Sequence, residues 1–169
     1  MKARTHRLVL MAVLVAIGTA TAGTLWFPAG VAKAYPVQHA INVLAAVFLG
    51  PMDAMAVAFI IALLRNLLGL GTLMAFPGGM VGALLAGLAY RWSNGKLSAA
   101  LVGEVFGTGI LGALLCIPIV RYILGKEAAI FFFIPPFAIS SVAGAALGGV
   151  VVMALARVGV TRGFQKSER

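Results

Sequence analysis

The side chains able to do chemistry in this chain are few and fall in three places. The first is residues 26–42, WFPAGVAKAYPVQHAIN, where Lys33, Tyr35, Gln38, His39 and Asn42 bring donors and acceptors up to apolar segments. The second is the pair Arg65-Asn66, and the third is Glu104, a carboxylate inside a long apolar run. Polar groups left beside lipid without partners cost several kcal/mol each, roughly, so these residues are expected to face a protein cavity. Ionisable groups at membrane depth read as functional by default. The chemistry they suit is recognition: a few placed hydrogen bonds, with Trp26, Tyr35, Phe27 and Phe76 offering rings for stacking on a flat ligand.

Each residue also has a plainer role to set beside that one. Arg65 can snorkel to headgroups, and Lys33 can be a solvated loop charge. His39 can hold a structural hydrogen bond, Asn42 and Asn66 can join helices, and the rings can form an interfacial belt. The cluster carries more weight than any member. No GxxxxGK[ST], HExxH, CxxC or GxSxG occurs. No ATPase, protease or hydrolase site is therefore legible, and no cofactor or metal is called for. One cysteine (Cys116) and two histidines (His6, His39) leave too little for a transition-metal site.

The elements that position these groups belong in a bilayer. Of 169 residues, 62% are hydrophobic and 10% charged, more apolar surface than a soluble domain of this size can hide. The net charge of +9 gathers at the termini and in one short loop, a positive-inside pattern without the basic, aromatic-interleaved face of a nucleic-acid binder. The expected fold is all-α: a single domain over 1–169, an integral membrane bundle of six helices at about 8–26, 37–50, 52–68, 78–92, 97–123 and 129–158. Pro28, Gly30 and Pro36 break residues 26–42 into a re-entrant or lid-like loop leading into helix two. Gly50-Pro51 turns into helix three, Pro118 kinks helix five, and Pro135-Pro136 interrupts helix six.

On helix one, Ala12, Ala16 and Ala20 recur every four residues, a small-residue face that lets another helix approach closely. A cleaved secretory signal ending near Ala20-Thr21-Ala22 is the competing reading of this segment. Six helices put both termini on one side, with the turn at 91–96. That side is the cytoplasm by lysine and arginine count, with the tail residues Arg157, Arg162, Lys166 and Arg169. Lys33, Gln38, His39, Asn42, Arg65 and Asn66 then share one depth near the outer surface. Glu104 lies about two turns into helix five from the inner side. It is expected to face the cavity floor, to pair with Arg65 if the helices tilt, or to carry a proton. A repeat of FPAG (27–30) as FPGG (76–79) hints at a duplication of three helices.

These residues resemble a known group. Six short helices, a basic start, the alanine face and the structured loop resemble the S components of energy-coupling-factor (ECF) transporters. FPAGVAKAYPVQHAINV, AVFLGP, LLRNLLGLGTLMAFPGGM and GEVFGTGILGAL resemble the ThiW family more narrowly, over about residues 8–157. The resemblance implies capture of a thiamine precursor, hydroxyethylthiazole, in an outer pocket with the loop after helix one as lid. It implies docking through the alanine face on a membrane coupling subunit that carries two ATPase subunits. It also directs attention to Glu104 and to the outer half of helix six, at Phe133, Ser140 and Ser141. Trp26 and Tyr35 are expected to stack, and His39, Asn42, Asn66 and Glu104 to make polar contacts, with Arg65 orienting Glu104 or an asparagine. Three alternatives stay open: thiamine or its pyrimidine precursor as ligand, a secondary carrier outside the ECF class, and a membrane assembly protein without a transported ligand.

Overall fold

The computed structural model describes residues 2–30, 32–127, 129 and 131–159. The tail positions Arg162, Lys166, Glu168 and Arg169 lie outside them. Among the described residues the chain forms six helices and one small hairpin. These are α1 (Lys2–Ala20), β1 (Phe27–Ala29), β2 (Ala32–Ala34), α2 (Pro36–Leu49), α3 (Pro51–Leu67), α4 (Ala75–Trp92), α5 (Leu97–Ile123) and α6 (Ile134–Arg157).

Proline and glycine set the boundaries. Pro36, Pro51 and Pro135 each occupy the first turn of a helix, where a missing N–H costs nothing and the fixed φ favours the helix. Pro135-Pro136 therefore starts α6 rather than interrupting it, and the helix begins at Ile134, later than the expected 129. Between α2 and α3 one residue makes the whole turn: Gly50 at φ 85°, a conformation a side chain disfavours. Helix one ends at Ala20, short of the expected 26, because Thr21–Gly23 tighten into a 3-10 turn and the chain then enters the hairpin. The FPAG/FPGG echo has no structural counterpart: Phe27–Ala29 is a strand, whereas Phe76 and Pro77 lie in the first turn of α4.

Within α5 two stretches, Gly107–Gly112 and Ile119–Ile123, widen to π-helical geometry. Such insertions mark functional sites or strain. The second follows directly on Pro118, the residue expected to bend this helix.

α1, α5 and α6 are long and apolar enough to cross a bilayer. Leu8, Val9, Val13 and Ile17 on α1, and Val142, Leu147, Val150 and Met153 on α6, stay exposed, as lipid contact requires. α2 has 14 residues and so spans only about 21 Å, against about 40 Å for the 27 residues of α5. It starts partway down the bundle, and the hairpin and the connection to Pro36 dip in above it. α2 packs on α6, α4 and α3, while α1 sits to one side against α3 and α2. Glycines make these approaches close. A Cβ on Gly144 would fall 2.4 Å from the Pro36 carbonyl, one on Gly107 2.8 Å from Gly82 Cα, and one on Gly112 2.6 Å from Gly78 Cα. At the end away from the hairpin, Arg7 of α1 pairs with Asp53 in the first turn of α3.

Candidate functional site

The short α2 leaves a cavity of about 530 Å³ above its N-terminus, at the hairpin end of the bundle. Trp26, Lys33 and Tyr35 reach it from the hairpin region, Gln38 and His39 from the first turn of α2, and Arg65 from the last turn of α3. Gly69, Leu70, Gly71, Thr72 and Met74 add the α3–α4 connection. Gly78 and Gly79 add α4, and Phe132, Phe133, Pro136, Phe137 and Ser140 close the side formed by α6 and its approach.

Two aromatic faces are covered by side-chain cations. Lys33 Nζ lies 3.9 Å from the centre of the Trp26 ring, and Arg65 Cζ lies 4.0 Å from that of Tyr35. Arg65 is buried to 2% exposure, which its bonds compensate in part. One terminal nitrogen donates to Gln38 Oε1 and the other lies 3.4 Å from the Leu70 carbonyl, while Nε has no partner among the described residues. The expected pairing of Arg65 is not made: among the described residues no bond joins it to Glu104 or to an asparagine. Gln38, one turn above Asn42 on α2, meets the guanidinium first. The Tyr35 backbone N–H donates to Ser140 Oγ at 2.8 Å, pinning the hairpin exit to α6.

Below the cavity lies a second, fully enclosed polar group. Glu104 has no exposed surface. Its Oε1 is 2.8 Å from His39 Nδ1, 3.1 Å from Asn42 Nδ2 and 2.9 Å from Thr108 Oγ1. Oε1 accepts from the Asn42 amide, His39 donates to it in the tautomer that carries the proton on Nδ1, and Thr108 has a single hydroxyl proton to share between Oε1 and the Gly78 carbonyl. The Asn42 amide also donates to the Gly79 carbonyl at 3.1 Å, and the Thr108 hydroxyl lies 3.0 Å from the Gly78 carbonyl. Glycine makes room for the carboxylate: a Cβ on Gly82 would sit 2.7 Å from Glu104 Oε2 and 2.0 Å from Thr108 Oγ1. Thr108, one helical turn after Glu104, stands where the π-helical stretch of α5 begins.

The structure thus divides the sequence-predicted residues into two layers. Trp26, Lys33, Tyr35, Gln38, His39 and Arg65 line the cavity. Asn42 and Glu104 lie behind His39, in the layer beneath. Asn66 stands apart, its amide donating to the Ala62 and Thr72 carbonyls at 2.8 and 3.1 Å, where it ties the end of α3 to the next loop. Of the four rings expected to stack on a flat ligand, Phe76 packs on Phe59 at 5.6 Å between centres. Neither Phe76 nor Phe27 reaches the cavity.

Sequence reasoning from the residues alone missed Phe132, Phe137 and the glycine floor. The FFFIPP run (131–136) carried the signal, aromatic residues set directly before a helix-starting proline. Phe133 and Ser140, indicated by the family resemblance, do line the cavity; Ser141 instead bonds the Ala138 carbonyl on its own helix at 3.2 Å. On α1, Ala12, Ala16 and Ala20 lie together on the exposed face, and Leu14 and Gly18 turn inward.

The family model for ThiW, described as thiamine-precursor transporter protein, matches residues 8–158. A solved structure described as "Structure and mechanism of the S component of a bacterial ECF transporter" shares the fold, with TM-score 0.77 and 20% identity, covering 92% of this chain and 98% of that chain. No curated protein matches. With a family match that takes in every helix around the cavity, on the architecture of a bacterial S component, the chain belongs to the ThiW family of thiamine-precursor transporters.

Proposed function

We propose that this protein is the substrate-binding S component of an ECF-type importer and captures hydroxyethylthiazole in the cavity at the hairpin end. The observation that carries the reading is the cavity itself, a hollow walled by rings with a small number of fixed polar groups, the usual build of a small-molecule site. In the tautomer that donates from Nδ1 to Glu104, His39 keeps Nε2 as an acceptor for the ligand hydroxyl. The Gln38 amide, its oxygen taken by Arg65, has N–H groups to donate to the thiazole nitrogen. Phe137, and the faces of Trp26 and Tyr35 that Lys33 and Arg65 leave uncovered, supply apolar surface for the ring. Glu104, Asn42 and Thr108 hold His39 rather than touch the ligand.

Calorimetric titration of the purified protein with hydroxyethylthiazole tests this. Saturable binding is expected, weakened about tenfold or more in Tyr35→Ala, which removes both a ring and the surface on which Arg65 rests. No heat at millimolar ligand, with binding of the pyrimidine precursor instead, would retire the substrate.

Charge supports an orientation. Arg4, Arg7, Arg91, Lys96 and Arg157 lie at the end away from the hairpin, which makes that end cytoplasmic, with both termini, in the cell membrane. The hairpin then faces outward as the lid. The exposed alanine face of α1 docks on the coupling subunit, which carries two ATPase subunits and drives release inside. Ala16→Trp is expected to abolish ATP-dependent uptake in cells holding the coupling module while binding by the purified protein stays unchanged, because small side chains are what permit close helix approach. Uptake that survives this substitution would contradict the docking face. Uptake that survives loss of the ATPases and collapses with the proton gradient would favour a secondary carrier.

A further inference from the structure

We infer that the cavity selects its ligand by charge, admitting uncharged heteroaromatic alcohols and rejecting cationic ones, so that intact thiamine, with its permanent thiazolium charge, is excluded. The inference rests on reading the cavity as the ligand site and deepens it.

Size does not make this distinction. A cavity of about 530 Å³ holds ligands well beyond one five-membered ring. Charge does. Sites that take organic cations use a carboxylate or the open faces of aromatic rings. Among the described residues lining this cavity there is no carboxylate. Two aromatic faces suited to a cation are covered already, Trp26 by Lys33 at 3.9 Å and Tyr35 by Arg65 at 4.0 Å. On the face already covered a ligand cation would displace Lys33 or Arg65, and on the opposite face it would share the ring's negative potential with that cation.

Glu104 does not reverse the balance. It stands behind the His39 ring, without exposed surface, and its Oε1 is engaged by His39, Asn42 and Thr108. Together His39 and Glu104 contribute at most one negative charge, against the two positive charges of Lys33 and Arg65. The field at the cavity stays positive: Arg65, at 2% exposure, is screened far less than a charge in water, while Lys33 is exposed and its share responds to salt. A thiazole nitrogen is uncharged at neutral pH and accepts a hydrogen bond. Once alkylated, as in thiamine, it loses the acceptor and carries the charge.

Three ligands separate these effects: hydroxyethylthiazole, its thiophene analogue (no ring nitrogen, no charge) and its N-methylthiazolium. Equilibrium binding to the full-length protein at low salt is expected to fall in that order, with the thiazolium about tenfold or more below the thiophene. In Lys33→Gln the gap between thiophene and thiazolium narrows about threefold or more, and added salt narrows it in the parent protein. Thiamine binds no better than the thiazolium. The charge-selection claim is overturned if the thiazolium or thiamine binds as well as the thiophene, or if the gap is the same in Lys33→Gln and at every salt concentration, which would make the rejection steric. If hydroxyethylthiazole itself fails to bind, the reading of the site fails and takes this inference with it.

Discussion

Glu104→Ala is expected to lower stability by about 3 kcal/mol and to weaken hydroxyethylthiazole binding at least about tenfold. Both effects come from the groups the carboxylate leaves behind. His39 Nδ1 and the Thr108 hydroxyl lie within 2.9 Å of Oε1, with Asn42 Nδ2 at 3.1 Å, in a layer closed to solvent. Each buried donor left without an acceptor costs about 1–3 kcal/mol. Thr108 and Asn42 retain the Gly78 and Gly79 carbonyls, so the total stays well below the sum of three orphans. His39 has no such substitute among the described residues, and its ring loses both orientation and tautomer. Glu104→Gln keeps volume and an accepting oxygen, so it is expected to cost only about 1 kcal/mol and to retain most affinity. Thermal unfolding in detergent alongside ligand titration checks the pair. Equal damage from both substitutions would mean that the negative charge, rather than the acceptor, holds this layer together.

Gly144→Ala is the second large effect, at about 2–3 kcal/mol with binding reduced about tenfold, because it drives α6 away from α2 where the site is built. The new methyl would lie 2.4 Å from His39 Cβ and 2.4 Å from the Pro36 carbonyl oxygen. These are backbone and near-backbone atoms that cannot swing aside, and overpacking of this kind costs about 1–3 kcal/mol. Gly149→Ala on the same helix is the control. Its methyl meets the far end of the Leu101 side chain at 3.2 Å, which can turn, so a change under about 1 kcal/mol is expected. If both alanines are tolerated alike, the close approach of α2 and α6 does not position His39.

Much of this arrangement is legible in the sequence, and the parts that are not have physical causes. The apolar runs and the Gly50-Pro51 and Pro36 punctuation identify six helices, because these residues act through the backbone and need no tertiary context, whereas Pro135-Pro136 reads equally as a break inside a helix or as its start. Clustering of Gln38, His39 and Arg65 at one end follows from helix order. The depth of Glu104 was the harder quantity. Counting turns from the start of α5 separates it from His39 if every helix crosses the whole bundle. α2 does not: with 14 residues it starts low enough to place His39 directly on the carboxylate. Nothing local marks the hairpin, whose strands are three residues each, below the length at which alternation can be read. Depth in the bundle groups Asn66 and Phe76 with the site, yet hydrogen bonds to the Ala62 and Thr72 carbonyls and a ring pair with Phe59 hold them elsewhere, distinctions that depend on which face of α3 and α4 turns inward.

A thiamine precursor bound in the cavity would lie beside Trp26. The chain has two tryptophans, and Trp92 lies exposed at the opposite end of α4, so Trp92→Phe leaves Trp26 as the single reporter. Titrating hydroxyethylthiazole into this variant is expected to change its emission saturably, at the affinity found by calorimetry, and His39→Ala in the same background is expected to remove the change. A calorimetric binding signal that leaves Trp26 emission unaltered and survives His39→Ala would place the ligand elsewhere and contradict binding in this cavity.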